Sequence, residues 1–284
     1  MGSNNKDMSK QEKTVFFHPG LGKVASTYLQ YKVFPHFRNI HYIQRTQYKK
    51  APRIISKRHE EKFLISREFD KHEYLERESQ FISGHFPDAK PILLLRRHDS
   101  WIASQYRRYA KNGYPWRFSD FFDHIHDGGK WKKKELLFHD KIKILENHFS
   151  HKPLVLFYED MKKDPLAFID RLARYMNASY DPGRISLSRT HTSYSENQMK
   201  ATLAIGKRIN IQPHIRLKYK IPDKLRHLYV AFIRYTTLYV AALLPESVFG
   251  NDPLIPEDAM KEIREMYQDD WERCVTYARE NNPV

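Results

Sequence analysis

Four short apolar runs punctuate an otherwise polar chain: TVFF from residue 14, KFLIS from 62, PILLLR from 91 and PLVLFY from 153. Each is too short for a stable helix, and apolar residues follow one another without alternation, the pattern of strands covered on both faces of a parallel sheet. The stretches between them carry helical spacing. The pattern therefore predicts strands at about 14–18, 62–66, 91–96 and 153–158, with helices at 24–36, 99–111, 133–149 and 165–177. Such alternation builds β-α units into an α/β fold, a central parallel sheet flanked by helices in three layers. From Ser195 onward the chain reads as mostly helical. There MKEIREMYQDDWERCVTYARE sets apolar residues at 260, 263, 266, 267, 271, 274, 275 and 278, the stripe of one packing helix. With no internal repeat and no low-complexity linker, one domain is expected over residues 13–284, after a flexible lead-in at 1–12.

Charge narrows the partners. Lys and Arg number 49 against 34 acidic residues, a formal +15, so an anionic partner is expected: nucleic acid, a membrane surface, an acidic glycan or a phosphorylated cofactor. One cysteine, Cys274, excludes an intramolecular disulfide framework and a cysteine-based metal cluster, which suits a reducing, cytoplasmic setting. The N-terminal residues have no apolar core of a secretory signal. The most apolar segment, Leu228 to Leu244, is short and carries Arg234, so it reads as a core helix, with a peripheral contact to the inner face of a membrane as the alternative.

The chemistry gathers where strands are expected to end. In TVFFHPGLGKVASTYLQ the first run meets a glycine turn, Lys23, and then Ser26 and Thr27 at a helix start. Strand, turn and helix start make an anion site, because the first helical N–H groups lack partners and the helix dipole is positive there. A nucleotide-triphosphate loop would need G-x-x-x-x-G-K-[ST]. Phe17 stands at its first glycine and Val24 at the metal-binding hydroxyl, so a phosphate is expected without that metal geometry. In PILLLRRHDSWIASQYRRY, Arg96 and Arg97 follow the third run, Asp99 is a natural helix cap, and Ser104 and Arg108 share a helical face. Placed on a strand beside the first, these would form a second anion site at nucleotide distance.

Together the motifs resemble those of sulfotransferases that use 3′-phosphoadenosine 5′-phosphosulfate (PAPS), in particular bacterial carbohydrate-type members. HPGLGKVASTYLQ resembles their 5′-phosphosulfate loop, LRRHDSWIASQY their 3′-phosphate motif, and PLVLFYEDMKKDPLAFIDRLARYM a later strand-and-helix segment, over about residues 14–177. The resemblance implies a P-loop-like fold and transfer of a sulfuryl group from PAPS to a hydroxyl or amine, leaving adenosine 3′,5′-bisphosphate, with no metal required. It assigns Gly22, Lys23, Ala25, Ser26 and Thr27 to the 5′ end of the cofactor and Arg96 and Ser104 to the 3′-phosphate, with Lys200, Lys207 and Arg208 of KATLAIGKR as candidate later contacts to the adenine and 3′-phosphate. Ala25 replaces the family's glycine, which implies an ordinary right-handed backbone there. His98 stands where many relatives have proline and Trp101 where many have arginine.

Lys23 is then the group that neutralises the leaving phosphate, and a base must stand near a neighbouring strand end. Glu68, after KFLIS, resembles the family's carboxylate; His18, His59 and His72 are the alternatives. The acceptor is expected to be an anionic sugar or glycolipid, with Trp116 or Trp131 stacking on a ring. Two other readings compete. In a P-loop kinase Glu159 or Asp160 would hold a metal, although here they read as structural. In a nucleic-acid-binding protein the basic residues would track phosphates, but no recognition signature accompanies them.

Overall fold

The computed structural model describes residues 13–187, 194–213 and 220–283; the expected lead-in at 1–12 lies outside them. Five parallel strands form the sheet: β1 (Thr14–His18), β2 (His41–Ile43), β3 (Lys62–Ser66), β4 (Lys90–Leu95) and β5 (Leu154–Phe157), in the order β2-β3-β1-β4-β5. The four apolar runs are β1, β3, β4 and β5, and β2 is an addition. In register, Phe16 faces Leu64 of β3 and Lys90 of β4, while Leu94 faces Leu156. Phe17, Phe63, Leu64, Ile92 and Leu93 are fully buried, as continuous apolar strands covered on both faces must be. The chain leaves β1 for β2 and β3 on one side and returns to β4 on the other. The carboxyl ends of β1 and β4 are therefore the switch point of this sheet, the place where open α/β sheets bind ligands.

The helices are α1 (Ser26–Tyr28), α2 (Ala51–Lys57), α3 (His72–Ser83), α4 (His98–Lys111), α5 (Phe118–Phe121), α6 (Phe138–His148), α7 (Tyr158–Lys163), α8 (Pro165–Tyr175), α9 (Glu196–Gly206), α10 (Lys220–Leu243), α11 (Glu257–Met266) and α12 (Gln268–Asn281). The helix expected over 24–36 is irregular: after α1 the coil widens at Leu29–Val33 and tightens at Phe34–His36, where Pro35 lacks the donor a regular helix would use. The stripe read as one helix over 260–280 is two, α11 and α12, parted at Tyr267 with φ −107° and ψ 15°. Asp160 and Glu159 fall in the first turn of α7, and it is Asp164 whose carboxylate caps α8, accepting from the Ala167 N–H at 3.0 Å.

The contacts resolve into two compact units. The first gathers the chain up to Leu95, Phe138–Leu187 and the segment from Arg273, and holds the sheet; the second gathers Arg96–Leu137 and the chain from 194 to Glu272 and is helical. Each is assembled from separated segments, so no linker composition marks the division.

Candidate active site

In the sheet unit, the loop after β1 runs alongside the loop after β3. Arg67 N–H donates to His18 O at 3.1 Å and Phe69 N–H to Gly20 O at 2.9 Å, continuing the β1–β3 pairing beyond both strands. Asp70 then accepts the Gly22 N–H at 2.6 Å, so Gly22 ties the two loops together through its backbone. Behind the loop, His18 is fully buried with Nδ1 2.8 Å from Ser66 Oγ, which also accepts from Gln30 Nε2 at 3.0 Å. Burial holds the His18 imidazole at about 3, far below its ordinary 6.5, so it is neutral at physiological pH. Its Nε2 is buried with no hydrogen-bond partner among the described residues. Gly20 is required here: a Cβ would lie 2.5 Å from Ser26 Oγ and 2.6 Å from the His18 ring.

The loop bends through two left-handed residues that are not glycine, Lys23 at φ 69° and Ala25 at φ 68°, ψ 11°. This corrects the expectation of a right-handed Ala25. The turn is imposed by its anchors, since Ser26 Oγ donates to Leu21 O at 2.8 Å and Val24 is driven into the core with no exposure. Each such residue costs about 1–2 kcal/mol. Left-handed residues leading into a helical one set successive N–H groups in a concave nest suited to an anion. Lys23 and Thr27 are exposed on this loop, whereas Ser26 is buried and Ala25 half-buried. Thr27 Oγ1 donates to Glu68 Oε1 at 3.2 Å. The structure thus gathers Lys23, Thr27 and Glu68 on adjoining loops at strand carboxyl ends. With Val24 buried, the residue after the lysine offers nothing to a metal-bound phosphate. Of the other histidines, His59 is exposed beyond α2 and His72 opens α3 with Nδ1 3.2 Å from Lys141 Nζ, a lysine that is itself fully buried and donates to Asp70 O at 2.9 Å.

In the helical unit, Arg96 follows β4 directly and donates through Nε to Ser100 Oγ at 2.9 Å; Ser104 stands one turn farther along the same face of α4. Ser100 was not singled out in the sequence, though it shares the spacing that marked Ser104. Asp99 is not the helix cap expected of it. It sits inside the first turn, buried, and accepts from Arg264 Nε at 2.8 Å and Nη2 at 2.6 Å. His98 bonds Asp270 at 2.9 Å and stacks on Tyr267 at 4.9 Å. Tyr106 is buried, its hydroxyl donates to Trp116 O at 2.9 Å, and burial pushes its pKa up to about 12. Trp101 and Trp131 meet edge-to-face at 5.2 Å in the core, so Trp131 offers no face to a sugar.

Trp116 packs on the Tyr114 ring at 4.8 Å with Lys130 Nζ 5.9 Å from its centroid, and it borders a cavity of about 710 Å³ in this unit, shared with Phe118, Phe122, Asp123, Lys200 and Lys207. Lys207 reaches it from the end of α9, where Gly206 passes so near Gly113 that a Cβ would lie 2.1 Å from Gly113 O. Arg208 follows, exposed.

The model of the sulfotransferase family matches residues 18–182, more than half of the chain. The chain belongs to the sulfotransferase family. The match begins at His18 and spans the loop of Lys23, Glu68 and all of α4. No curated protein matches significantly. Among solved structures, the crystal structure of a sulfotransferase from Alicyclobacillus acidocaldarius is similar, with 15% identity, a TM-score of 0.48, and coverage of 68% of this chain and 92% of that one. Among the described residues no group of three or more His, Cys, Asp or Glu side chains is arranged to hold a metal ion. The β1 loop thus sets a cation, a hydroxyl and two left-handed residues beside the Glu68 carboxylate.

Proposed function

We propose that this sulfotransferase takes its sulfuryl group from PAPS and delivers it in line to a hydroxyl or amine of a carbohydrate or glycolipid, without a metal and in the cytoplasm, where its lone Cys274 would stay reduced. The observation that carries the reading is Lys23, exposed on a left-handed loop at the carboxyl end of the central strand. The donor, when bound, supplies an activated sulfuryl group and a phosphate that leaves it. Lys23 offsets the negative charge growing on that phosphate, and Thr27 and the loop N–H groups position it. A sulfuryl group carries less charge than a phosphoryl group, which makes one lysine with backbone donors adequate. Glu68 takes the acceptor's proton. The buried His18 is poorly suited to that task because its ring is fully enclosed behind the loop.

Arg96 and Ser104 are assigned to the 3′-phosphate by their place in the motif, with Ser100 holding the Arg96 side chain. Lys207 and Arg208 are assigned to the far end of the donor, and Lys207 also lines the cavity with Trp116. That cavity mixes aromatic residues with Arg117, Lys200 and Lys207 and with the carboxylates of Asp123 and Asp252, a polar and aromatic lining that supports a carbohydrate acceptor.

Calorimetric titration without Mg²⁺ tests the donor. Adenosine 3′,5′-bisphosphate should bind at least about tenfold more tightly than 5′-AMP or ATP, since an Arg-phosphate bond contributes about 1.5–3 kcal/mol. Equal affinities for the bisphosphate and 5′-AMP would remove Arg96 from the site, and tighter binding of ATP would favour a kinase.

A further inference from the structure

Helix α10 is the most exposed apolar element among the described residues. Val230, Leu238 and Ala241 bury one side of it, and Gln198 of α9 donates to Leu238 O at 2.8 Å. On the opposite side Leu225, Leu228, Phe232, Tyr235, Tyr239 and Leu243 follow one another at steps of three or four residues and fall within about 80° of arc. Their exposures run from 43% at Tyr235 to 86% at Leu243. The core helix expected of this segment is thus half right: one edge packs, and an apolar stripe about 27 Å long does not. Soluble surfaces rarely leave so continuous a patch uncovered.

We propose that this stripe is seated in the interface of an anionic lipid bilayer. Three features select that occupant. From Lys224 to Leu244 the chain has no acidic residue, and Lys224 is exposed at the edge of the stripe, in a protein of formal charge +15, while Arg226 and Arg234 turn to Gln212 and Asn112 on the packed side. Anionic headgroups complement that charge; a second copy of the same helix would bring only further cations. The stripe mixes aliphatic side chains with tyrosines, which favour the boundary between hydrocarbon and water. And no helix of the described residues is long and apolar enough to cross a membrane, so the contact lies along the surface, the geometry of an interfacial amphipathic helix. An acceptor carried on a lipid follows, and that clause alone rests on the sulfuryl-transfer reading.

Co-sedimentation of the full chain with vesicles tests the seat. Binding is expected to phosphatidylglycerol-containing vesicles, weakening as salt rises, and at least about tenfold weaker to pure phosphatidylcholine. Phe232→Ser with Leu243→Ser, at two of the most exposed positions, should lower binding at least about tenfold with an unchanged thermal midpoint; Leu243→Asp alone provides the same reading should the pair fail to fold. The proposal is overturned by a wild-type chain that sediments with neither vesicle, by variants that bind as the wild type does, or by a wild-type dimer that the variants dissociate, which would seat a second copy on the stripe. A chain that sediments yet ignores adenosine 3′,5′-bisphosphate would overturn the donor assignment and leave the membrane seat standing.

Discussion

The loop after β1 and the start of α4 both follow a sheet strand and both present cations, yet they are held in opposite ways. Around Lys23 a buried neutral histidine, a serine, a glutamine, backbone-to-backbone bonds and the carboxylates of Asp70 and Glu68 together support two left-handed residues. Around Arg96 the backbone is an ordinary helix start and the scaffold is ionic, with Asp99 held by Arg264 and His98 by Asp270. The backbone differs accordingly: strained left-handed residues carry Lys23, whereas a regular helix start, with ion pairs among its neighbours, carries Arg96.

The largest effect expected from this contrast is on rate. Lys23→Ala should lower the single-turnover transfer rate about 10³-fold with a modest change in bisphosphate affinity, whereas Arg96→Ala should weaken affinity about tenfold or more and leave the rate of the bound complex nearly intact. Equal rate losses in the two variants would erase the distinction. Glu68→Gln should cost about 10² in rate at unchanged bisphosphate affinity. Near-normal turnover in that variant would send the search for the base back to His72 and His59.

Acid should single out the buried His18 behind the Lys23 loop. The unfolded chain protonates a histidine near 6.5, but the folded chain protonates His18 only near 3, so between those values the unfolded state binds the extra proton and stability falls as pH falls. By about pH 4.5 the loss from this group is on the order of 2–3 kcal/mol. Chemical denaturation of the wild type and His18→Gln across that window should show a steeper acid limb in the wild type; parallel limbs would mean that His18 charges readily in the fold. Arg264→Ala, which strands the buried Asp99, should cost about 2 kcal/mol, read as a lower denaturation midpoint. The smallest change is a gain. Ala25→Gly relieves the left-handed strain and should raise stability by about 1 kcal/mol, and a loss instead would show that the alanine methyl contributes by packing.

Much of the sheet unit is readable along the chain because its four longer strands are continuous apolar runs. Strand β2, HYI, is three residues of which two are half-exposed, too brief and too polar to register as a pattern. Helix α3 hides behind its charges, since only Leu75 and Ile82 of its buried residues are apolar while Glu78 is held by Lys49 and Arg77. Lys23, Glu68 and Arg96 were visible as residue types at strand ends. His18 was visible only as one histidine among several, because nothing local says that Ser66 and Gln30, 48 and 12 positions away, will close around it. The hidden half of α10 is similar: its periodicity is plain, but periodicity does not say which apolar face finds a partner.

The alternation of strands and helices, the glycine turn with its lysine and the excess of positive charge were all legible in the chain, because they depend on spacing and composition within a few residues. Only the folded arrangement made Ala25 take a left-handed backbone, turned Asp99 to Arg264 rather than to its own helix cap, and left Phe232 and Leu243 of α10 outside. Each of those outcomes balances a local preference of about 1 kcal/mol against contacts from distant parts of the chain, and where several such contacts act together they outweigh it.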